Sequence, residues 1–256
     1  MRKKRSITTW DAAGAREGMQ SVAVAEARAG SVDAAETSRD AKGKSGRKRR
    51  EQQRAIDTKR MILGAALTEF AHVGFEAASI RTIAEMTGLQ HPLITYHYRT
   101  KEALWKAVAE DAFATIRRLW DERTQGQENM PPLERLQVEY SAFLRFSIVH
   151  PDFHHFMLRE SRPGNPRLPW LVRTILRPMM QRVLPDIEAA QAAGQLPSGR
   201  PALVHYMMIG MVLVLSSLKD EIRESIGLAA DDPRTVDSYL SIINATVFHP
   251  QDSNVN

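Results

Sequence analysis

Five side chains able to form hydrogen bonds lie within one short stretch of the chain: Gln90, His91, Thr95, Tyr96 and His97. Their amide, imidazole and hydroxyl groups are of the kinds that bind base edges and phosphate oxygens. Leu93 and Ile94 lie between them and would anchor one side of a short helix, which leaves the polar groups facing outward. The chemistry indicated is recognition through hydrogen bonds.

Two short helices around a tight turn would position these groups. Ser79 can cap the first helix by accepting a hydrogen bond from the backbone N–H of Thr82. Gly88 tolerates the positive φ needed just past the end of that helix, and Pro92 suits the first turn of the second because its φ is already helical. The pattern predicts a DNA-binding helix-turn-helix over residues 79–98, although a helical corner in any all-α protein would carry similar signals.

The flanking sequence favours the helix-turn-helix. Upstream, residues 58–74 form an amphipathic helical pattern that stops at Gly74-Phe75, and downstream Thr100 can cap a helix that opens at Lys101. The upstream apolar stripe consists of Ile62, Ala65, Ala66, Phe70 and Val73.

Together these segments resemble the tetracycline-repressor (TetR) family of bacterial transcription regulators over about residues 55–115. The matching residues are Phe70, Gly74-Phe75, Ser79, Ile83-Ala84, Gly88, Tyr96-His97-Tyr98 and Lys101-Glu102-Ala103-Leu104. The chain departs from many members at Leu89-Gln90, Pro92 and Ile94-Thr95, so which side chain reads which base stays open.

The resemblance implies a set of DNA contacts, in which Lys101, Tyr96 and His97 grip phosphates while Gln90, His91 and Thr95 read bases. The full set of expected DNA-binding residues is Ser79, Thr82, Gln90, His91, Pro92, Thr95, Tyr96, His97 and Lys101.

The amino-acid composition limits the class of protein and the compartment to be expected. The chain has 256 residues, of which 43% are hydrophobic and 25% charged, values ordinary for a globular protein of one or two domains. The absence of cysteine excludes disulfides and thiolate chemistry and suits the bacterial cytoplasm, where we expect the protein at the nucleoid. No apolar run reaches the roughly 18 to 20 residues of a membrane helix, so no membrane partner is expected.

Residues 1–50 differ from the rest of the chain in charge and in apolar content. They contain 13 Lys and Arg against 6 Asp and Glu, a balance of +7, so that the remaining residues carry −2 of the overall +5. With few large apolar groups, this arm is expected to be disordered. It either neutralises DNA phosphates beside the recognition helix or is a solvated tail that aids solubility.

The second half of the chain predicts further helices and no strands, so the fold class expected is all-α. Helices are predicted at residues 133–149, 152–161, 170–193 (broken or kinked at Pro178 and Pro185), 203–218 and 234–248, after a linker at 124–132. The expected division is a helix-turn-helix domain at 51–115, a ligand-binding and dimerisation domain at 116–250, and a tail at 251–256.

The helix predicted at 203–218 is apolar on nearly all sides and must therefore be buried on all sides. Its own domain can cover only one flank. We expect the other flank to meet a second copy of the chain, with residues 234–248 completing a four-helix homodimer interface, which the family resemblance also implies.

The helices of the second domain are expected to enclose an apolar cavity for an unidentified small-molecule effector. Its wall candidates are Phe153, Phe156, Met157, Trp170, Met179, Met207 and Met211, with His154, Arg159 or His205 as orienting groups. Arg159 favours an anionic apolar ligand, because a guanidinium pairs well with a carboxylate. All of these residues are equally compatible with an ordinary core.

No motif for catalysis or for a cofactor stands out. His150, His154 and His155 are close in sequence, but Pro151 interrupts the helix between the first two, so we expect no metal site. We predict a dimeric regulator that binds a palindromic operator and is released by a ligand. A ligand-independent DNA-binding protein of architectural or division-related type is the alternative. The sequence contains no catalytic motif, which argues against an enzyme on a helical fold.

Overall fold

A computed structural model of the chain describes residues 35–248, with side chains described from Arg49 onward. This range folds into eleven α-helices and one π turn, without a strand, which confirms the all-α class. The helices are α1 (Ala35–Ala77), α2 (Ile80–Thr87), α3 (His91–His97), α4 (Lys101–Thr124), α5 (Pro132–Val149), α6 (Pro151–Glu160), α7 (Leu168–Leu171), α8 (Arg177–Ala192), α9 (Pro201–Ser217), α10 (Lys219–Ile226) and α11 (Pro233–Val247).

Helix α1 begins earlier than predicted. It starts at Ala35, inside the arm expected to be disordered at residues 1–50, while residues 1–34 of that arm lie outside the described range. Seven of residues 35–50 are Lys or Arg, which favour helices even where no core is available. The predicted stop is found at Gly74, whose φ of 81° and ψ of 166° interrupt the helical backbone.

Contacts divide the chain into two compact units. The first contains Ser79–Leu104 and α1 as far as Ala66, and the second contains Leu67–Ala78 and the chain from Trp105 onward. The boundary in α4 therefore lies earlier than the predicted 115/116, and the last turns of α1 belong to the second unit. The reason is local: Trp105 and the end of α1 pack with residues of the second unit.

The first unit holds the predicted helix-turn-helix, α2 and α3. Ile62, Ile83, Ile94 and Leu104 are fully buried in its core. Leu93, expected to be a second anchor of α3, is instead 37% exposed. In a helix of seven residues only about one residue per turn faces the core, and in α3 that residue is Ile94.

The second unit packs α5, α8 and α9 against one another. Its helix ends agree with the prediction to within two residues, except that the polar helix α10 was missed because it buries none of its residues. A π turn at Val172–Leu176 precedes Pro178, and α8 continues through Pro185 without a break. A proline ring crowds the carbonyl four residues earlier, which the wider turn accommodates at Pro178.

Within residues 35–248 no single helix is long and apolar enough to cross a membrane. Only α9 and α10 taken together reach the required length and composition, and they are bent by 63° at their junction.

Candidate DNA interface and apolar cavity

Helix α3 presents most of the predicted recognition groups to the surface. Tyr96 is 81% exposed, and its ring makes an edge contact with His97 at 5.5 Å between centroids. Gln90, His91, Pro92 and Thr95 are exposed, while Ser79, Thr82, His97 and Lys101 are half-buried. All nine residues therefore belong to the first unit and keep some accessible surface.

Local hydrogen bonds fix the two short helices. Ser79 Oγ accepts from the backbone N–H of Arg81 at 3.2 Å, so the cap predicted from Thr82 was assigned to the wrong donor. Thr95 donates its hydroxyl to the carbonyl of His91 at 3.0 Å, which leaves that hydroxyl able to accept but not to donate. Thr100 Oγ1 accepts from the backbone N–H of Ala103 at 3.0 Å and caps α4 as predicted.

Positive charge accompanies the helix-turn-helix on the first unit. Basic side chains that neutralise phosphates need solvent access, and among the side chains described in this unit seven are fully in the exposed class. They are Arg49, Arg50, Arg54, Lys59, Arg60, Arg81 and Arg99.

The second unit contains an apolar cavity of about 490 Å³. Leu158, Ser161 and Tyr206 are its exposed lining residues and mark the mouth. Its apolar lining consists of Phe113, Ile116, Trp120, Phe143, Phe153, Met157, Leu158, Leu168, Val172, Leu176, Met179, Met180, Val183, Ile209 and Leu213. A space of this size and lining suits a small apolar molecule.

Glu139 is the charged group in the cavity lining. It is 2% exposed, and its Oε1 accepts hydrogen bonds from Arg182 Nε at 3.1 Å and Nη2 at 3.0 Å. Burial raises the pKa of Glu139, although the Arg182 guanidinium works in the other direction. The other oxygen, Oε2, is buried without a hydrogen-bond partner.

Three neutral polar side chains complete the lining. Tyr140 and His205 share a hydrogen bond of 2.7 Å between the phenol oxygen and Nδ1. Burial raises the pKa of the Tyr140 phenol and lowers the pKa of His205 to about 4. Burial, with a smaller effect from His155, also lowers the pKa of His154 to about 4, and His154 Nε2 has no hydrogen-bond partner.

Comparisons with known proteins identify the segment that contains the helix-turn-helix. Residues 62–108 match the model of bacterial regulatory proteins of the tetR family. The HTH-type transcriptional regulator RutR of Escherichia coli (strain K12) is 28% identical over 153 residues, which cover 59% of this chain and 68% of RutR. The segment that contains the helix-turn-helix is that of a TetR-family regulator. The chain is a helix-turn-helix transcription regulator, as the sequence resemblance predicted.

Solved structures of TetR-like proteins share the fold of this TetR-family chain. The ketosteroid transcriptional regulator KstR2 of Mycobacterium tuberculosis has a TM-score of 0.57 at 18% identity and covers 75% of this chain and 95% of its own. A TetR-like regulator from Rhodococcus sp. RHA1 has a TM-score of 0.51 at 16% identity, covering 72% and 91%.

Some of the predicted pocket residues lie in the lining of this cavity and others do not. Phe153, His154, Met157 and Met179 line the cavity, and so does His205. Phe156 and Trp170 do not, because both rings pack on Trp105, at 5.8 Å and 5.4 Å between centroids.

Two more wall candidates, Met207 and Met211, and the candidate orienting group Arg159 lie outside the lining. Met207 is 39% exposed on the outer face of α9, and Met211 meets α11, where its carbonyl accepts from Tyr239 at 2.7 Å. Arg159 donates from Nε to the carbonyl of Ala71 at 2.6 Å and from Nη2 to that of His72. It therefore binds the end of α1, and the inference of an anionic ligand from Arg159 loses its basis.

Further polar contacts join the same segments. Thr68 donates to Asp152 Oδ2 at 2.7 Å, and Arg167 pairs with both Glu76 and the buried Glu160 at 3.1 Å. All of these residues belong to the second unit.

Sequence reasoning missed Glu139 and Tyr140. A signal for Glu139 existed, since it lies three residues after Leu136 and four before Phe143, on the buried stripe of an otherwise apolar helix face. An acid at such a position is a marker of a special environment.

The histidine cluster gives no metal site in the described range. Within residues 35–248 no three His, Cys, Asp or Glu side chains are grouped closely enough to hold a metal ion. Asp152 instead pairs with His72 at 3.3 Å and with His155 at 4.0 Å.

The buried histidines predict that stability falls with acidity. His154 stays neutral in the folded chain down to about pH 4, whereas in the unfolded chain it gains a proton near its ordinary pKa of 6.5. The unfolded state then binds more protons, so this stability is fully present above about pH 6.5 and is lost progressively toward pH 4. Urea unfolding midpoints at pH 7.5, 6.5, 5.5 and 4.5 measure the loss.

The matched variant for this measurement is His154→Phe, which keeps an aromatic ring among Phe143 and Phe153 but removes the titrating nitrogen. Its midpoint should fall less steeply than that of the wild type. Because the raised pKa of Glu139 acts in the opposite direction in both proteins, the difference between them reports His154. Identical pH profiles would contradict the assignment.

Proposed function

We propose that this TetR-family regulator is a repressor that binds a palindromic operator as a homodimer and is released by a small apolar effector bound in the cavity. The observation that carries the proposal is the position of α6, which lines the cavity with one face and holds the end of α1 with another. The protein would act on the chromosome in the bacterial cytoplasm.

The two faces of α6 follow from helical spacing. His154, Met157 and Leu158 lie on the stripe that lines the cavity, while Asp152 and Arg159, seven residues apart, lie on the stripe that meets α1. A ligand that displaces α6 from the cavity side therefore also changes the contacts at α1.

The contacts at α1 are strong enough to transmit such a change. The last carbonyls of a helix have no partners within it, and Arg159 supplies charge-assisted donors to two of them. A hydrogen bond of this type contributes about 1.5 to 3 kcal/mol. Helix α1 is continuous as far as Gly74 and supplies Ile62, Ala65 and Ala66 to buried positions, so it links this end covalently to the helix-turn-helix unit.

Release of DNA then needs only that the ligand binds one state of the dimer more tightly than the other. Two recognition helices of a dimer enter successive major grooves when they are about 34 to 36 Å apart. A ligand that favours another separation lowers DNA affinity by its differential affinity for the two states.

An exposed apolar stripe on α9 supports the homodimer. Leu203 is 65% exposed, Tyr206 57% and Val214 47%, and Ile242 of α11 is 59% exposed. The opposite side of α9 is buried through Val204, Met208, Val212 and Leu215. A stripe of this length is typical of a surface that a second copy covers.

Base and phosphate contacts can be separated by salt dependence. Lys101→Ala should weaken binding to selected and random duplexes alike and lower the slope of log affinity against log salt by about one unit for each half of the dimer. Gln90→Ala should change the preferred sequence and leave the slope unchanged. The measurement is fluorescence anisotropy over a salt series, on an operator that the protein selects from random duplexes.

The same salt series tests the arm. Removing residues 1–50, which carry +7, should flatten the slope further if the arm neutralises phosphates.

The roles assigned to Lys101 and Gln90 would be wrong if Lys101→Ala changed the preferred DNA sequence while nonspecific affinity stayed intact.

The dimer prediction uses two matched leucines. Leu203→Lys places an unpaired charge in the proposed interface, so the dimer of 28.8 kDa chains should dissociate at concentrations on the order of 100-fold higher than the wild type. Leu228→Lys, at a position that is 45% exposed and outside the stripe, should leave the dimer intact. Sedimentation equilibrium measures both, and an unchanged dimer in Leu203→Lys would rule out this interface.

A further inference from the structure

Two polar atoms in the cavity lining are buried without hydrogen-bond partners: Glu139 Oε2 and His154 Nε2. Both side chains are 2% exposed. An unsatisfied buried polar atom costs about 1 to 3 kcal/mol, and more when it is charged, so such atoms persist where something else pairs with them. Their position in an otherwise apolar cavity points to a ligand.

The charges around Glu139 are unbalanced toward negative. Arg182 pairs with Glu139 and also with Asp121, at 2.6 Å from Nη1, and Arg135 pairs with Asp186 at 3.4 Å. Three carboxylates therefore share two guanidinium groups. When all five groups are ionised, this set carries a net charge of −1, and Glu139 is its member in the cavity lining.

Among the side chains that the structure describes, no Lys or Arg lines the cavity to oppose that charge. His154 and His205 are also neutral at pH 7, since burial lowers the pKa of each to about 4. A ligand carboxylate would meet the buried Glu139 carboxylate, a charge of its own sign, whose Oε2 has no donor.

We propose that the cavity binds an apolar molecule bearing an O–H or N–H donor, such as an alcohol or a protonated amine, which donates to Glu139 Oε2, and that it discriminates against carboxylates. This inference rests on the proposed function of the cavity as an effector site and names the class of effector. It reverses the anionic preference that Arg159 suggested.

Three compounds with one skeleton test the ligand class on the full-length protein. They are 4-phenylbutylamine, 4-phenylbutan-1-ol and 4-phenylbutyrate, which differ only at the terminal group. Isothermal titration calorimetry at pH 7 should give affinities for the amine and the alcohol at least 10-fold higher than for the carboxylate. Equal or tighter binding of 4-phenylbutyrate, or no binding of any of the three, would overturn the inference.

Glu139→Gln assigns the effect to one side chain. The amide keeps an acceptor for Arg182 but has no charge, so the affinity for the amine should fall at least 10-fold, and that for the alcohol by less. The matched control is Glu134→Gln, at an exposed position in the first turn of the same helix α5, which should change neither. If Glu139→Gln failed to fold, Glu139→Asp would replace it, and there a shorter reach should weaken both ligands.

Operator binding, measured in the same samples, separates this inference from the proposed function. Binding of the amine through Glu139 with operator affinity unchanged would support the ligand class and overturn ligand-controlled release. Release of the operator by 4-phenylbutyrate alone would support the proposed function and overturn the ligand class.

Discussion

Arg159 donates hydrogen bonds to the part of α1 just before Gly74, and this contact joins α6 to α1. Gly74 interrupts the helical backbone of α1 at a φ of 81°. Arg159 donates to the carbonyls of Ala71 and His72, and its guanidinium lies 3.4 Å from the place where a Cβ at position 74 would be. Asp152 adds a bond to Thr68 one turn earlier. Helix α6 and the end of α1 are therefore held together by directed polar bonds.

The cavity uses the other side of the same helix. Phe153, His154 and Met157 contribute to its wall, and α5 brings Glu139 and Tyr140 from the opposite direction. Burying a carboxylate beside aromatic rings is costly unless it is paired, and Arg182 pairs only one of its oxygens. A ligand that donates a hydrogen bond to the second oxygen would bind more tightly, because the folded protein has already lost the free energy of removing this oxygen from water. The same ligand would press on α6, so this helix would take part both in ligand binding and in the change of contacts at α1.

The sequence predicted the structural features that depend on neighbouring residues, and it did not predict those that depend on residues far apart in the chain. Gly74, Gly88 and Thr100 marked helix ends correctly, because turns and caps depend on neighbouring residues. The partner of Arg159 lies 88 residues away, and no local pattern encodes it. In α9 almost every side chain is apolar, so the sequence could not tell that Met208 is buried while Met207 faces outward.

The coupling of α6 to α1 is tested most directly by the operator affinity of Arg159→Met with and without saturating 4-phenylbutylamine. Methionine keeps an apolar stem but cannot donate to the carbonyls of α1. In the wild type the amine should weaken operator binding by a factor between about 5 and 150, the usual range for coupled sites. In Arg159→Met this factor should approach one, while calorimetry shows unchanged affinity for the amine. The same factor in both proteins would contradict a path from the cavity to DNA through Arg159.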